Sequence, residues 1–177
     1  MQPTLNQIWE TILNEFSDLG NPEQITRVAV RLTVAGFLGA LIGFEREHHG
    51  KAAGARTHIL VALGSALFVM VPQLAGVPDS DLTRVLQGLI AGIGFLGAGT
   101  IFLGAGRQRV KGLTTAAGIW MTCAIGATAG MGRESTATLS AVLAWCILAI
   151  GPRLVGKKQN AQASDKDAVE KQVSEKG

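Results

Sequence analysis

Long stretches of this chain contain no Asp, Glu, Lys or Arg, among them residues 57–78, 85–106 and 135–152. A helix needs about 20 apolar residues to span the hydrocarbon core of a bilayer, with about 17 to 25 allowed. Each stretch reaches that length, so the pattern predicts a helical membrane protein. The composition agrees, because 16% of the residues are charged, whereas a soluble domain has about 25%.

Five apolar segments are separated by gaps too short to hold a soluble domain. The predicted fold is an all-α membrane protein with five transmembrane helices, approximately 25–44, 58–76, 85–105, 113–131 and 135–152. These helices form a transmembrane domain over residues 25–155, preceded by an N-terminal region, 1–24. The tail, 156–177, is polar and of mixed charge, and we expect it to be disordered because it cannot bury a core.

The N-terminal region carries one apolar stripe over residues 4–19, which predicts a short amphipathic helix. The stripe consists of Leu5, Ile8, Trp9, Ile12, Leu13 and Phe16. Without a basic start or a continuous apolar core, this region is not a secretory signal peptide. The helix either lies on the membrane surface or packs on its own domain or on a partner.

The distribution of Lys and Arg over the gaps predicts the orientation. The first gap, the third gap and the start of the tail are rich in basic residues: Arg46, Lys51 and Arg56; Arg107, Arg109 and Lys111; Arg153, Lys157 and Lys158. The second and fourth gaps hold only Arg84 and Arg133. We therefore expect a periplasmic N-terminus and a cytoplasmic C-terminus. The net charge of +3 reflects this topology and does not indicate nucleic-acid binding.

Glycines recur at four-residue spacing in two of the apolar segments. Gly39 and Gly43 form one pair, and Gly88 and Gly92 form another; small residues at this spacing let helices approach closely. Residues 92–99, GIGFLGAG, also match G-x-G-x-x-G, but no acidic residue follows before Glu134, which argues against dinucleotide binding. We expect helix packing, or alternatively a broken helix that exposes carbonyls to an ion. The packing candidates are Gly39, Gly43, Gly88, Gly92, Gly94, Gly97 and Gly99.

The first gap, within GFEREHHGKAAGARTH, concentrates polar residues beyond what a turn needs. If the helices on either side are antiparallel, Glu45 and Arg46 lie near Arg56 and His58, and a carboxylate gains from a nearby guanidinium. The adjacent His48 and His49 are poorly spaced for zinc. The segment is interpreted as a built site for an ion or partner, with a solvated connector as the alternative.

Other polar residues lie at predicted helix ends. Asp81, Arg84 and Gln87 either begin a helix or form a periplasmic entrance, and Thr114 and Thr115 either satisfy backbone groups or line a cytoplasmic vestibule. Arg27 and Arg31 either extend to the membrane surface or pair with Asp79 or Asp81. Cys123 and Cys146 are interpreted as small buried hydrophobes.

Three blocks resemble one family in order and spacing: GFEREHHGKAAGARTHILVALGSALF, DLTRVLQGLIAGIGFLGAGTIF and RVKGLTTAAGIWMTCAIG. They are similar to the MgtC/SapB family of bacterial inner-membrane proteins. The resemblance implies a five-span protein acting in Mg²⁺ homeostasis, in adaptation to low Mg²⁺ or acid, and in virulence. It further implies regulation of a membrane partner, such as the F-type ATP synthase, rather than pumping.

The resemblance also marks positions of interest in this chain. They are Glu45, Arg46, Lys51, Arg56, Thr57, His58, Asp81, Arg84, the run from Gly92 to Gly99, Gly112, Thr114 and Thr115. Better-known members continue into a folded cytoplasmic C-terminal domain, whereas this chain ends in the polar tail.

Two functions remain open from the sequence: a regulator that binds a membrane partner, and a transporter or channel for Mg²⁺ or another ion. Glu45 and Asp81 are predicted on opposite faces of the membrane, about 30 Å apart, so they cannot share one ion. We expect no enzymatic activity and no resident cofactor, with Mg²⁺ left open. The expected partners are the lipid bilayer, another inner-membrane protein and a second copy of the chain.

Overall fold

The computed structural model describes residues 4–17, 20–103 and 110–151. Six helices and one short β-pairing follow in chain order: α1 Leu5–Glu15, α2 Pro22–His48, α3 Ala55–Leu74, α4 Asp79–Ala98, β1 Phe102–Leu103, β2 Val110–Lys111, α5 Leu113–Gly130 and α6 Glu134–Gly151. Strand β1 pairs antiparallel with β2. The basic residues Arg107, Arg109, Arg153, Lys157 and Lys158, and the predicted tail, lie outside the described residues.

Three of the helices, α2, α3 and α6, are long and apolar enough to cross a membrane. The prediction of a helical chain located in a membrane is confirmed at this level. Helix α4 begins with Asp79 and Asp81, which lowers its mean hydropathy. Helix α5 is rich in Gly, Ala and Thr, because most of its residues face other helices and small side chains fit there.

One apolar core joins α2, α3, α5 and α6. It is built largely from alanines and leaves little room between helices: Ala35, Leu38, Ile42, Ala62, Ala66, Ile125, Ala129, Ala137, Ala141 and Ala144. A second, smaller cluster, including Ile93, Ile119 and Cys123, joins α4 to α5. Helix α4 is therefore held at the edge of the bundle, mainly through α5.

Glycines set the close approach of α2 to α3. A Cβ added at Gly39 would lie 2.7 Å from the backbone oxygen of His58, and one at Gly43 would lie 2.6 Å from Cα of Ala55. Both distances are too short for any side chain. These two glycines therefore lie where the sequence predicts a packing face.

The helix bounds differ most from the predicted ones at the end of α2 and at both ends of α4. Helix α2 continues through Glu45 and Arg46 to His48, because the two opposite charges pair with each other and the helix need not end at the last apolar residue. Helix α4 begins at Asp79 and ends at Ala98. Its C-terminus is closed by the Thr100 hydroxyl, which donates to the backbone oxygen of Gly97 at 2.8 Å.

The alternative of a broken helix at the glycine run is not observed in α4. The helix is continuous through Gly88, Gly92, Gly94 and Gly97, so it exposes no run of free carbonyls there. The chain bends only after Gly99, and Gly112 then begins α5 with φ of 92°. That backbone conformation, and the approach of the Thr100 carbonyl, exclude a side chain at Gly112.

Helix α1 keeps its apolar stripe exposed. Trp9 is 62% exposed and Phe16 is 83% exposed, and α1 has no buried residue. Helix α1 covers Leu5–Glu15, and Gln7 accepts a hydrogen bond from the backbone N–H of Thr4 at 3.0 Å. Its apolar side is therefore left for a surface other than the described part of this chain.

Candidate functional site

An ion pair between adjacent residues lies in the last turns of α2. Arg46 Nη2 donates to Glu45 Oε1 at 2.7 Å, and Arg46 Nε donates to Glu45 Oε2. The side chains are only 2% and 5% exposed, respectively. Burying two charges costs free energy unless the geometry is good and the remaining donors find partners. The bidentate pairing meets the first of these conditions.

The guanidinium also reaches the last turn of α6. Arg46 Nη2 donates to the backbone oxygen of Leu148 at 3.2 Å. The last four carbonyls of a helix have no partner within it, and this end of a helix carries partial negative charge. Arg46 therefore satisfies a carbonyl of α6 and joins the C-terminal ends of α2 and α6.

The neighbouring acidic residues have separate partners. Glu45 Oε1 lies 3.1 Å from Nδ1 of His49, and the same nitrogen lies 2.9 Å from the backbone oxygen of Glu45. Glu47 Oε2 accepts a hydrogen bond from the backbone N–H of Ala55 at 2.9 Å. A carboxylate is favoured at a helix N-terminus, so Glu47 caps α3 while Glu45 neutralises Arg46.

His58 is fully buried and joins α3 to α5. Its Nδ1 lies 2.7 Å from Oγ1 of Thr122, and the Thr122 hydroxyl donates to the backbone oxygen of Gly118 at 2.9 Å. The tautomer of the His58 ring sets whether Nδ1 donates to the Thr122 hydroxyl or accepts from it. The other ring nitrogen, Nε2, is buried without a hydrogen-bond partner among the described residues.

The ends of α2, α3 and α6 and the middle of α5 thus contribute to one polar cluster, which we call the Arg46 cluster: Glu45, Arg46, Glu47, His49, His58, Thr122 and the Leu148 carbonyl. The model of the MgtC family matches residues 32–157, a range that includes this whole cluster. The chain belongs to the MgtC family.

Three relatives of this MgtC-family chain show the extent of the similarity. "Protein SrpB" of Synechococcus elongatus is 51% identical over 59% of this chain and 64% of the relative. "Putative magnesium transporter YhiD" of Escherichia coli K12 is 37% identical over 74% of this chain and 63% of the relative. "Protein MgtC" of Brucella abortus is 44% identical over 67% of this chain and 48% of the relative. The chain therefore spans about half to two thirds of their length. No solved structure matches it.

Sequence reasoning on this MgtC-family chain missed several members of the Arg46 cluster. Glu47 had a local signal, because an acidic residue just before a short loop is well placed to cap the next helix. Thr122 and the Leu148 carbonyl had none. They meet residues 64 and 102 positions away in the sequence.

The structure corrects the predicted partners of the first gap. Glu45 pairs with Arg46 and not with Arg56, because α3 turns Ala55 and His58 towards α2. Arg56 and Lys51 are exposed, and Thr57 is half-buried. These three lie beside the Arg46 cluster in sequence without joining its hydrogen bonds among the described residues.

The alternative that Arg31 pairs with Asp79 or Asp81 is wrong. Arg31 Nη1 donates to the backbone oxygen of Gly130 at 2.9 Å and to the Gln73 side chain at 3.2 Å, and Glu134 lies 4.0 Å away. It contacts the ends of α3, α5 and α6 rather than Asp79 or Asp81. Arg27 instead pairs with Glu23 of its own helix at 2.7 Å.

The remaining polar candidates lie apart from the Arg46 cluster. Asp81, Arg84 and Gln87 are exposed on α4, at the end of the bundle opposite Glu45. Thr114 and Thr115 both lie in the first turn of α5, where Thr114 is exposed and Thr115 is 4% exposed. The candidate residues selected from the sequence therefore lie at two opposite ends of the helix bundle and do not form one site.

The glycines of α4 do not act as a group. A Cβ added at Gly97 would lie at an ordinary 3.6 Å from Cβ of Ala116 in α5, and Gly99 follows the end of α4. A Cβ at Gly88, Gly92 or Gly94 would meet no other atom of the described residues within 4 Å. For these three, packing within the described chain is not observed.

Helices α3 and α5 approach each other most closely at Gly126 and Gly130, which are not among the glycines predicted to pack. A Cβ at Gly126 would collide with the backbone oxygen of Ala62, and one at Gly130 would lie 2.7 Å from Cα of Ala66. The four-residue spacing of Gly126 and Gly130 was the available signal.

Proposed function

We propose that this chain is a multi-pass protein of the bacterial inner membrane, with five spans, a periplasmic N-terminus and a cytoplasmic C-terminus. The contacts support this arrangement. They join Arg46 to Leu148 at one end of the bundle and Arg31 to Gly130 at the other, which are the groupings expected from the basic residues. The exposed apolar stripe of α1 supports a position on the periplasmic membrane surface.

Single-cysteine labelling tests this topology. In a variant with Cys123 and Cys146 replaced by Ala, Lys51→Cys and Ser80→Cys each place one thiol at an exposed position. A membrane-impermeant maleimide is expected to label Ser80→Cys in intact spheroplasts, and Lys51→Cys only after permeabilisation. The same labelling of both positions from outside would contradict five spans in this orientation.

We further propose that the chain acts in Mg²⁺ homeostasis by regulating a membrane partner. The observation that supports this proposal is that the Glu45 carboxylate is already fully paired. Both of its carboxylate oxygens bond Arg46, and one also lies 3.1 Å from His49. A carboxylate neutralised in this way holds helices together and is a poor ligand for a cation. Mg²⁺ is then the ion whose level is controlled, and no enzymatic step is assigned to the chain.

The exposed face of α4 is the proposed docking surface for the partner. Ala91, Gly94 and Ala98 are exposed and recur at three- and four-residue spacing, so another transmembrane helix can approach closely. The resemblance points to an inner-membrane complex such as the F-type ATP synthase. A second copy of the chain is the other candidate occupant.

A second candidate function is transport of Mg²⁺, which is favoured by the name "Putative magnesium transporter" of one relative. The acidic residues that could bind Mg²⁺ are far apart in this chain. The 20 residues of α3 separate Glu45 from Asp79 and Asp81, at the start of α4, by about 30 Å. Among the described residues, no group of three His, Cys, Asp or Glu is placed to hold a metal. A transport path would then rest on Asp79 and Asp81 at one entrance.

One pair of measurements separates the two functions. We expect proteoliposomes of the wild-type chain to show the Mg²⁺ flux of empty liposomes, and a membrane partner to co-purify with the wild type. Gly94→Leu, which adds a side chain on the docking surface, is expected to lose that partner, while Gly92→Leu on the opposite side of α4 retains it. Mg²⁺ flux that Asp81→Asn abolishes would instead establish transport.

A further inference from the structure

An apolar groove of about 790 Å³ runs between α3 and α4. Leu60 and Phe68 line it from α3, and Leu96 lines it from α4. Gly88 and Gly92 of α4 also line the groove, and a Cβ at either would meet no other described atom within 4 Å. The glycines therefore keep the groove open, and its volume is typical of a ligand site.

One end of this groove is positively charged. Arg56 and Thr57 line the groove in the first turn of α3. Arg56 is exposed, and no carboxylate of the described residues lies within the 4.0 Å of an ion pair with it. Glu47 already bonds the N–H of Ala55, so the side chains of Arg56 and Thr57 are the groups available to an anion.

The length of the groove corresponds to one leaflet of a bilayer. From Arg56 to Phe68 the helix rises by about 18 Å at about 1.5 Å per residue. Half of the hydrocarbon core is about 15 Å thick. A chain anchored at Arg56 would therefore reach the middle of the membrane at the level of Phe68.

We propose that the groove binds an anionic phospholipid, with the phosphate at Arg56 and one acyl chain against Gly88 and Gly92. A charged end joined to an apolar groove one leaflet long matches the two parts of a lipid. Arg56 also lies on the side that the charge distribution places in the cytoplasm, where anionic lipids are concentrated. A transmembrane helix would fill the groove but would leave the guanidinium without an anion.

This lipid site lies on the side of α4 opposite the partner-docking surface of Ala91, Gly94 and Ala98. The two proposals can therefore fail separately. Arg56→Gln and Gly92→Leu alter the lipid site, and Arg84→Gln and Gly94→Leu are matched controls. The first control removes an exposed arginine from the other end of the bundle, and the second adds the same side chain at an equally open position of α4.

The test is native mass spectrometry of the full chain, equilibrated with equal amounts of phosphatidylglycerol and phosphatidylcholine. The wild type and both controls are expected to retain phosphatidylglycerol preferentially. Arg56→Gln should reduce that retention about tenfold, because a charge-assisted hydrogen bond to phosphate is lost, and Gly92→Leu should reduce retention of both lipids. Equal retention of the two lipids by the wild type, or a second copy of the chain bound in place of lipid, would overturn the proposal.

Discussion

Glu45→Ala is expected to destabilise the protein by about 3–5 kcal/mol, because it leaves a buried cation without its counter-charge. Arg46 is 2% exposed, and the Leu148 carbonyl alone cannot replace a bidentate carboxylate. The free energy of unfolding, measured in bicelles, gives the value. A loss below about 1 kcal/mol would show that Arg46 reaches water when Glu45 is absent.

Two controls isolate the charge effect of Glu45→Ala. Glu23→Ala removes the same group from an exposed pair, in which Glu23 is 73% exposed, and should change stability by less than about 1 kcal/mol. The double change Glu45→Ala with Arg46→Met removes both charges and should recover part of the loss. If the double variant is no more stable than Glu45→Ala, lost packing rather than unpaired charge explains the effect.

Gly126→Ala is the second change with a large expected effect. Its Cβ would collide with the backbone carbonyl of Ala62, and a backbone atom cannot move aside as a flexible side chain can. Overpacking of this kind costs about 1–3 kcal/mol or more. The separation of α3 from α5 would push His58 away from Thr122 as well. Thermal unfolding of the purified chain measures the loss.

Gly64→Ala is the matched control for Gly126→Ala. Gly64 lies on α3, next in space to the α3–α4 groove, and a Cβ there would meet no other described atom within 4 Å. Because Ala favours a helix by about 1 kcal/mol over Gly, we expect the control to be neutral or more stable. Equal destabilisation by both substitutions would refute the assignment of Gly126 to the helix contact.

The sequence predicts helices better than it predicts which faces of them meet. Apolar length locates α2, α3 and α6, because spanning a bilayer demands it. Spacing alone cannot tell Gly92, which lies open beside a groove, from Gly126, which touches a backbone. Both sit in similar apolar, glycine-rich surroundings, and the difference is set by the neighbouring helix.

For the candidate site, too, the sequence predicts individual residues better than it predicts their contacts. Glu45 and Arg46 could be selected because charge next to an apolar helix is costly and needs compensation. Their pairing with each other was not predicted. The predicted helix ends at residue 44, before the pair, and the expected neighbours of Glu45 and Arg46 are Arg56 and His58 across the loop. His58 was selected because an antiparallel pair of helices would bring it near Glu45 and Arg46, but Thr122 lies 64 positions away, and only the packing of α3 on α5 brings it to His58.

The two arginines of α2 have a consequence for how the chain is made. Arg31 bonds a carbonyl 99 positions later, and Arg46 bonds one 102 positions later. During synthesis, α2 therefore enters the membrane long before those acceptors leave the ribosome. Contacts between such distant positions close late in assembly. In an early helical hairpin of α2 and α3, Arg31 and Arg46 therefore lack part of their hydrogen bonds. These bonds form only when α5 and α6 have packed against the hairpin.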